Sequence, residues 1–507
     1  MTTQFRIALA MALACTGSAP LRQASAQETY WPTHGWRRSS PEAQGMDSKV
    51  LADAFDYIRQ HRIPIHSLTI VRNGYIVLDA YFWPFQDGQL HDLASVTKSV
   101  TSTLVGIAIG QGRLAGVSQP LLGAFDQRPI ANRDGRKERI TLEHLLTMTS
   151  GLDCVASHEI TLFQMMQSSD WIQFMLDRPM AAEPGARFEY CSGGMHLLSG
   201  VITRATGTNS LDFARRELFG PLGINEVAWP ADPQGIPNGW GDLHLQPRDM
   251  AKIGYLWLNG GRWEGRQLVP AEWLQAATRV HAHPGFSPGQ EYGYGLWIYP
   301  ERTPPIYEGL GRGGQRISFA PALNLVVVFT GGGFEPGDIG AFIGRAVKSG
   351  QPLPEDSAGA ARLAAAVTDA TRPPAPQPVR PAPALSTTIS GTSFALDANP
   401  IQVTSLSLAF PLGSEAALKL RLSDGRIEEG PIGLDGVARI WPHGRFGLPV
   451  AVNGEWESDS TFVLNYDEVG NINAFQLRLT FSRDDLRVEM TERTGLMEAR
   501  FRGRPGG

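Results

Sequence analysis

Ala94-Ser95-Val96-Thr97-Lys98-Ser99-Val100-Thr101-Ser102-Thr103-Leu104-Val105-Gly106-Ile107-Ala108-Ile109-Gly110 is the stretch around which the rest of the chain can be read. Leu104, Ile107 and Ala108 recur at i, i+3 and i+4, the spacing of a helix face turned inward, and Gly110 and Gly112 supply the stop. The pattern predicts a helix with Ser95 on its first turn. Ser95 and Lys98 then lie on one side of it, about one turn apart. A serine hydroxyl is a poor nucleophile until something takes its proton, and a desolvated lysine amine can be that base. The helix N-terminus adds N–H groups and partial positive charge where an acyl oxygen would become negative.

The tetrapeptide alone is weak. Of the six lysines, only Lys98 has serine three residues earlier. Six lysines would give such a match by accident roughly one time in three. The alternative is an N-cap serine followed by a surface lysine. The rest of the chain must decide.

At 507 residues two domains are expected, and 42% hydrophobic with 19% charged residues is an ordinary globular balance. A net charge of -5 gives no reason to expect a nucleic-acid partner. Residues 1–26 differ from the rest. Arg6 precedes the apolar run Ile7 to Ala14, and Ala24-Ser25-Ala26 offers a small-residue cleavage site before Gln27. This is the layout of a secretory signal peptide, too short in its apolar part to span a bilayer, so no transmembrane segment is expected. The protein is expected to be periplasmic or secreted. A lipid anchor at Cys15 is the lesser alternative, because Ala12 stands where a large aliphatic residue is usual. Export leaves Cys154 and Cys191, which could form one disulfide. There is no Cys-x-x-Cys, His-Glu-x-x-His or phosphate-loop run, and no metal, nucleotide or redox cofactor is expected.

In order, residues 47–60 read as a helix capped by Asp47 or Ser48, and residues 66–71 as a strand. Asn73-Gly74 marks a hairpin whose return strand is residues 75–81. Residues 140–297 are mostly helical, with helices at 141–148, 195–202 and 248–258 and a turn-rich approach at 183–194. Tyr292 to Tyr299 reads as a strand, Leu325 to Thr330 as a buried strand, and Ile339 to Val347 as a last helix. The layout is α+β: an antiparallel sheet flanked by helices, with a mostly helical insertion. Residues 27–350 are assigned to this catalytic domain. Residues 351–384 read as an Ala/Pro-rich linker with a short helix near Ala360 to Ala370. From 385 to 507 the period becomes two, as in Leu406, Leu408, Phe410 and in Leu418, Leu420, Leu422. Phe475, Leu477, Leu479 and Phe481 alternate likewise, turning at 482–485 into Leu486, Val488 and Met490. This predicts an all-β sandwich or barrel with no catalytic constellation of its own.

Four separated stretches resemble the penicillin-recognising serine hydrolases, in their order: Ser95-Val96-Thr97-Lys98, Leu145 to Leu152, Tyr190-Cys191-Ser192 and Arg312-Gly313-Gly314-Gln315. Pro184-Gly185, Pro221-Leu222-Gly223-Ile224 and Arg248-Asp249-Met250 reinforce the likeness over residues 40–348. The family includes class C β-lactamases, D-alanyl-D-alanine peptidases, esterases and nylon-oligomer hydrolases, and Gly313-Gly314-Gln315 looks closest to the last two. The resemblance implies that Ser95 attacks the acyl carbon. Lys98 and Tyr190 would accept its proton and pass it to the leaving group, with the phenol acidified by positive charge. It implies an oxyanion hole from the backbone N–H groups of Ser95 and Gln315, and a strand edge at Gly313 and Gly314 along which substrate lies. Two departures stand out. Ser192 replaces the asparagine that would grip substrate, and Arg312 replaces a lysine or histidine. Arg312 either pairs with a substrate carboxylate or points to solvent. Both departures favour ester or amide substrates over lactams.

The leading expectation is an exported serine hydrolase acting on a small ester or amide through acyl-Ser95. β-Lactamase or D-alanyl-D-alanine peptidase activity is the alternative, and a non-catalytic ligand- or cell-wall-binding protein on the same fold is an alternative of another class. His91, His144 and His196 are expected to be packed rather than catalytic. Trp171, Tyr292 and Tyr294 either line an acyl pocket or belong to the core.

Overall fold

Asn73 and Gly74 take positive φ, 52° and 77°, and so turn the strand Ile65–Arg72 back into Tyr75–Tyr81 in the computed structural model. The described residues are 30–506 except 412, 445–446 and 483–484. The leader expected at 1–26, Cys15 and the middle of the turn expected at 482–485 lie outside them. The hairpin is one edge of a seven-stranded antiparallel sheet. Its order is Tyr75–Tyr81, Ile65–Arg72, Leu325–Gly331, Arg316–Ala320, Ile306–Leu310, Trp297–Tyr299 and Glu291–Tyr292. Leu325–Gly331 is buried throughout because both sheet faces are covered. Val326 and Val328 join the core around the helical region, whereas Leu325, Val327 and Phe329 pack with helices Ser48–Gln60 and Gly337–Ala346.

The helix Val96–Gly110 is buried from Val96 to Ala108, not on one face alone. It packs against the helix Ser192–Thr206 within the large core. That second helix starts three residues earlier than expected, so Ser192 lies on its first turn. The strand expected over 292–299 is instead two short strands, Glu291–Tyr292 and Trp297–Tyr299, with the chain reversing between them. The helix expected near Ala360 is longer, Ser357–Ala370, and docks on the first helix. Leu363 enters the core there, and Arg362 pairs with Asp53 at 2.7 Å and Asp56 at 2.6 Å.

Beyond it, period-two strands bury one face. Ala416, Leu418, Leu420 and Leu422 are buried and the residues between them are exposed. Among the described residues, ten strands run from Ser393 to Pro505, and Gly433 meets Asn453 to close nine of them. Arg439–Trp441 is the tenth, pairing along the Val450–Trp456 strand. The region is therefore a barrel rather than a sandwich. Residues Trp31–Gly507 form one compact unit. Phe85 and Tyr81 pack with Ala451 and Val469 of the barrel, and the Gly470 carbonyl accepts the Asp92 N–H at 2.7 Å.

Candidate active site

The chain enters the serine helix through a constrained turn. Asp92 is buried, and its carboxylate accepts the N–H of Ala94 at 2.7 Å. Ala94 itself takes φ 44°, a left-handed conformation that an L-residue holds only when its surroundings impose it. Ser95 follows at the N-cap position, but its hydroxyl does not cap the helix. It accepts a hydrogen bond from Lys98 Nζ at 2.7 Å. Lys98 is 2% exposed, so it is not the surface lysine of the alternative reading. Its second acceptor is the Trp240 carbonyl at 2.9 Å, and Nζ lies 4.8 Å from the Tyr190 ring centroid. The serine and amine of one helix turn thus meet a tyrosine 92 residues beyond Lys98 in sequence.

The segment that supplies the Trp240 carbonyl was not singled out from the sequence. Residues 238–245 run along the serine helix. Thr101 Oγ1 donates to the Gly239 carbonyl at 2.8 Å, and Leu93 N–H donates to the Leu243 carbonyl at 2.8 Å. His91–Asp92 and His244–Leu245 then pair as two short strands. Asp242, at φ 62°, accepts from Asn238 Nδ2 at 2.7 Å. Loss of water, then the nearby Asp92 charge, pushes its carboxyl up to about 6, against smaller opposing effects of Asn238, His244 and Lys98. The available signal was Asn238-Gly239-Trp240-Gly241-Asp242, a tryptophan between two glycines. Nothing in that spacing names Lys98 as its partner.

Gly311 carries the third motif against the nucleophile loop. A Cβ there would lie 2.6 Å from the Leu93 carbonyl oxygen and 3.1 Å from Ala94 Cβ, so only glycine permits the approach. Arg312–Gly314 is a tight turn, with φ 81° at Gly313 and 98° at Gly314, and not the strand edge expected. The strand begins at Arg316. Gln315 is wholly buried, and its amide holds the turn. It donates to the Gly331 carbonyl at 2.6 Å and accepts the Gly331 N–H at 3.0 Å.

Two substrate-binding expectations are corrected. Arg312 donates from Nη1 to Thr494 Oγ1 at 2.7 Å and from Nη2 to Asn473 Oδ1 at 2.9 Å, with Glu492 3.6 Å away. Its guanidinium is engaged by the barrel and does not extend freely into solvent, because the barrel supplies polar partners that its local sequence does not reveal. Ser192 is 3% exposed and donates to Glu159 at 3.2 Å, its hydroxyl turned into the protein by the early helix start.

Tyr190 is fixed from both sides in sequence. Glu189 N–H donates to the Met148 carbonyl at 2.8 Å, and Cys191 is bonded to Cys154, with Cα atoms 5.7 Å apart. The Tyr190 ring stacks on Trp297 at 6.4 Å, and Trp297 and Phe188 pack around Tyr292 at 4.8 and 5.3 Å. Burial pushes the Tyr292 phenol well above its ordinary value. Phe286, 62% exposed, extends this aromatic wall towards solvent. Tyr294 instead donates to Glu143, and Trp171 packs on His196. The three histidines are occupied: His144 completes a capping box with Thr141, His196 is buried against Asp232 at 3.1 Å, and His91 bonds to His66 at 2.8 Å.

A helix-covered antiparallel sheet with a serine and lysine on one helix turn, facing a tyrosine, defines a serine acyl-hydrolase architecture. The Beta-lactamase family matches residues 42–348, and the chain belongs to that family of serine hydrolases. It is 22% identical over 278 residues to the 6-aminohexanoate-dimer hydrolase of Paenarthrobacter ureafaciens, covering 51% of this chain and 70% of that one. It is 28% identical over 229 residues to Esterase EstB of Burkholderia gladioli, covering 43% and 55% respectively. In fold it is similar to EstCE1, a hydrolase with promiscuous acyltransferase activity, at TM-score 0.50 and 17% identity over 60% of this chain and 99% of that one. Among the described residues, no helix is long and apolar enough to cross a membrane, and no cluster of three or more His, Cys, Asp or Glu is placed to hold a metal ion.

Proposed function

We propose that the protein is an exported serine hydrolase that cleaves small esters or amides with an apolar acyl group through an acyl-Ser95 intermediate. The observation that carries this reading is the Lys98 amine, bonded to Ser95 Oγ at 2.7 Å and lying against the Tyr190 ring. Ser95 Oγ attacks the acyl carbon while its proton passes to the Lys98–Tyr190 pair, and the same pair returns a proton to the departing alcohol or amine. Water then attacks the acyl-enzyme, its proton taken by the same pair, and Ser95 leaves as the alcohol. The N–H groups of Ser95 and Gln315 are assigned to the oxyanion, consistent with the packing of Gly311 on Leu93 and Ala94.

The aromatic wall of Phe188, Tyr190, Trp297 and Phe286 supports an apolar acyl group. The names of two relatives, a 6-aminohexanoate-dimer hydrolase and an esterase, support amide or ester cleavage. Export rests on the leader reading at 1–26, and a Cys154–Cys191 bond suits an oxidising compartment. The test is turnover of chromogenic esters, anilides and a chromogenic cephalosporin by wild type, Ser95→Ala and Tyr190→Phe. Ester or anilide turnover that Ser95→Ala abolishes supports the reading. Turnover of the lactam alone transfers it to β-lactamase activity, and full turnover by Ser95→Ala overturns it.

A further inference from the structure

The loop beside the nucleophile carries one arginine, and the barrel has engaged it. Gly311 touches Leu93 and Ala94, so Arg312, the next residue, starts close to Ser95. Its side chain is 33% exposed, yet its guanidinium points towards two turns of the barrel. Three groups receive it, and each is itself held. Thr494 Oγ1, which accepts from Nη1, donates in turn to Glu492 Oε2. Glu492, 4% exposed, also accepts the N–H groups of Thr494 at 2.9 Å and Leu496 at 3.2 Å. Asn473, which accepts from Nη2, donates to Glu468 at 3.3 Å. The neighbouring cation, Arg493, faces Asp467 at 3.3 Å. Packing seals the contact, because a Cβ on Gly313 would lie 2.4 Å from Ile472 Cγ2 of the barrel.

A carboxylated acyl donor entering this site would therefore meet an arginine already neutralised, with the Glu492 charge behind it. To pair with it, a substrate carboxylate would have to draw the guanidinium off two hydrogen-bond acceptors and away from the Glu492 carboxylate 3.6 Å from Nη1. We propose that Glu492, together with Asn473 and Thr494, is a specificity determinant of the acyl site. By holding Arg312, these barrel residues deny a substrate carboxylate its counter-charge and select uncharged acyl donors. This rests on the acyl-Ser95 reading and adds to it a role for the barrel.

The test compares two esters of equal chain length, 4-nitrophenyl butyrate and the 4-nitrophenyl monoester of succinic acid, on the full-length protein. Wild type is expected to favour the uncharged ester. Glu492→Gln keeps an acceptor for the Thr494 N–H but removes the charge, and should shift the kcat/KM ratio towards the succinyl ester by about tenfold. Asn473→Ala with Thr494→Val should shift it the same way, and serves should Glu492→Gln fail to fold. Adding Arg312→Ala to either variant should reverse the shift. A ratio that stays within about twofold of wild type in both folded variants overturns the inference, as does a shift that persists without Arg312. If Ser95→Ala turns over either ester at the wild-type rate, the acyl-Ser95 reading itself has failed, which is a separate outcome.

Discussion

Two basic residues start close to Ser95, and the protein treats their side chains in opposite ways. Lys98 is buried on the serine's own helix and gives one of its bonds to the Ser95 hydroxyl. Arg312 lies on a loop packed against the same turn, yet gives its side-chain bonds to Asn473 and Thr494, more than 150 positions downstream. The first placement is a consequence of helix geometry, which brings residues three apart onto one side. The second depends on a barrel docking against the loop. Proximity to a nucleophile therefore does not make a charged residue part of its chemistry, and the other partners of that residue decide.

The largest effect that sharpens this contrast is expected at Lys98. Lys98→Ala should lower kcat/KM for an uncharged ester by about 10³-fold or more, because both the proton acceptor and the bond to Ser95 are lost. Steady-state kinetics beside the Ser95→Ala variant checks this. An equally large loss for Arg312→Ala, with unchanged stability, would erase the distinction between the two basic residues.

Next is the Cys154–Cys191 bond, which fixes the residue following Tyr190 and so the tyrosine side of the Lys98 cluster. It closes a loop with sequence separation 37. On the chain-entropy view, replacing both cysteines with serine should cost about 3–4 kcal/mol of stability, read from urea unfolding of the oxidised wild type and the double variant. Arg312→Ala in the otherwise unaltered protein should lower kcat/KM for the uncharged ester by about tenfold, through loosening of the Gly313–Gly314 turn.

The smallest effect concerns pH. Asp242 has its carboxyl raised from 3.8 to about 6, so between those values the folded protein keeps a proton that the unfolded chain has released. Its contribution to stability therefore falls as pH rises from about 4 to about 6, and stays lost above that range. Asp242→Asn should gain stability relative to wild type over the same interval, measured as urea midpoints at the two ends. His66 works in the opposite direction. Burial lowers it from 6.5 to about 3, so the neutral ring favours the fold at neutral pH, and that contribution is lost as pH falls from about 6.5 to about 3.

The parts of the fold visible in the sequence were those set by local chemistry. Asn73-Gly74, the Asp47 cap and the alternating strands of the barrel depend on turn geometry, capping and the two-residue period. Ser95 and Lys98 were visible for the same reason. Tyr190 and Gln315 came from resemblance, and the Tyr190 ring does reach the Lys98 amine. What escaped notice depends on contacts between distant segments. Trp240 enters through its backbone carbonyl, which no side-chain pattern marks. Arg312 is assigned by residues of a different sheet, and Ser192 by a helix start three residues earlier than its apolar pattern indicated. The alternation of Tyr292 to Tyr299 concealed a reversal between two short strands.

The most direct test of the contrast between the two basic residues is to quench each protein early in turnover of 4-nitrophenyl butyrate and map the trapped acyl group by peptide mass spectrometry. Wild type and Arg312→Ala should carry one butyryl group on Ser95, and Lys98→Ala should carry none over the same interval. A butyryl group on another residue, or Ser95 acylated as fast without Lys98 as with it, would contradict the assignment of the buried lysine to the nucleophile.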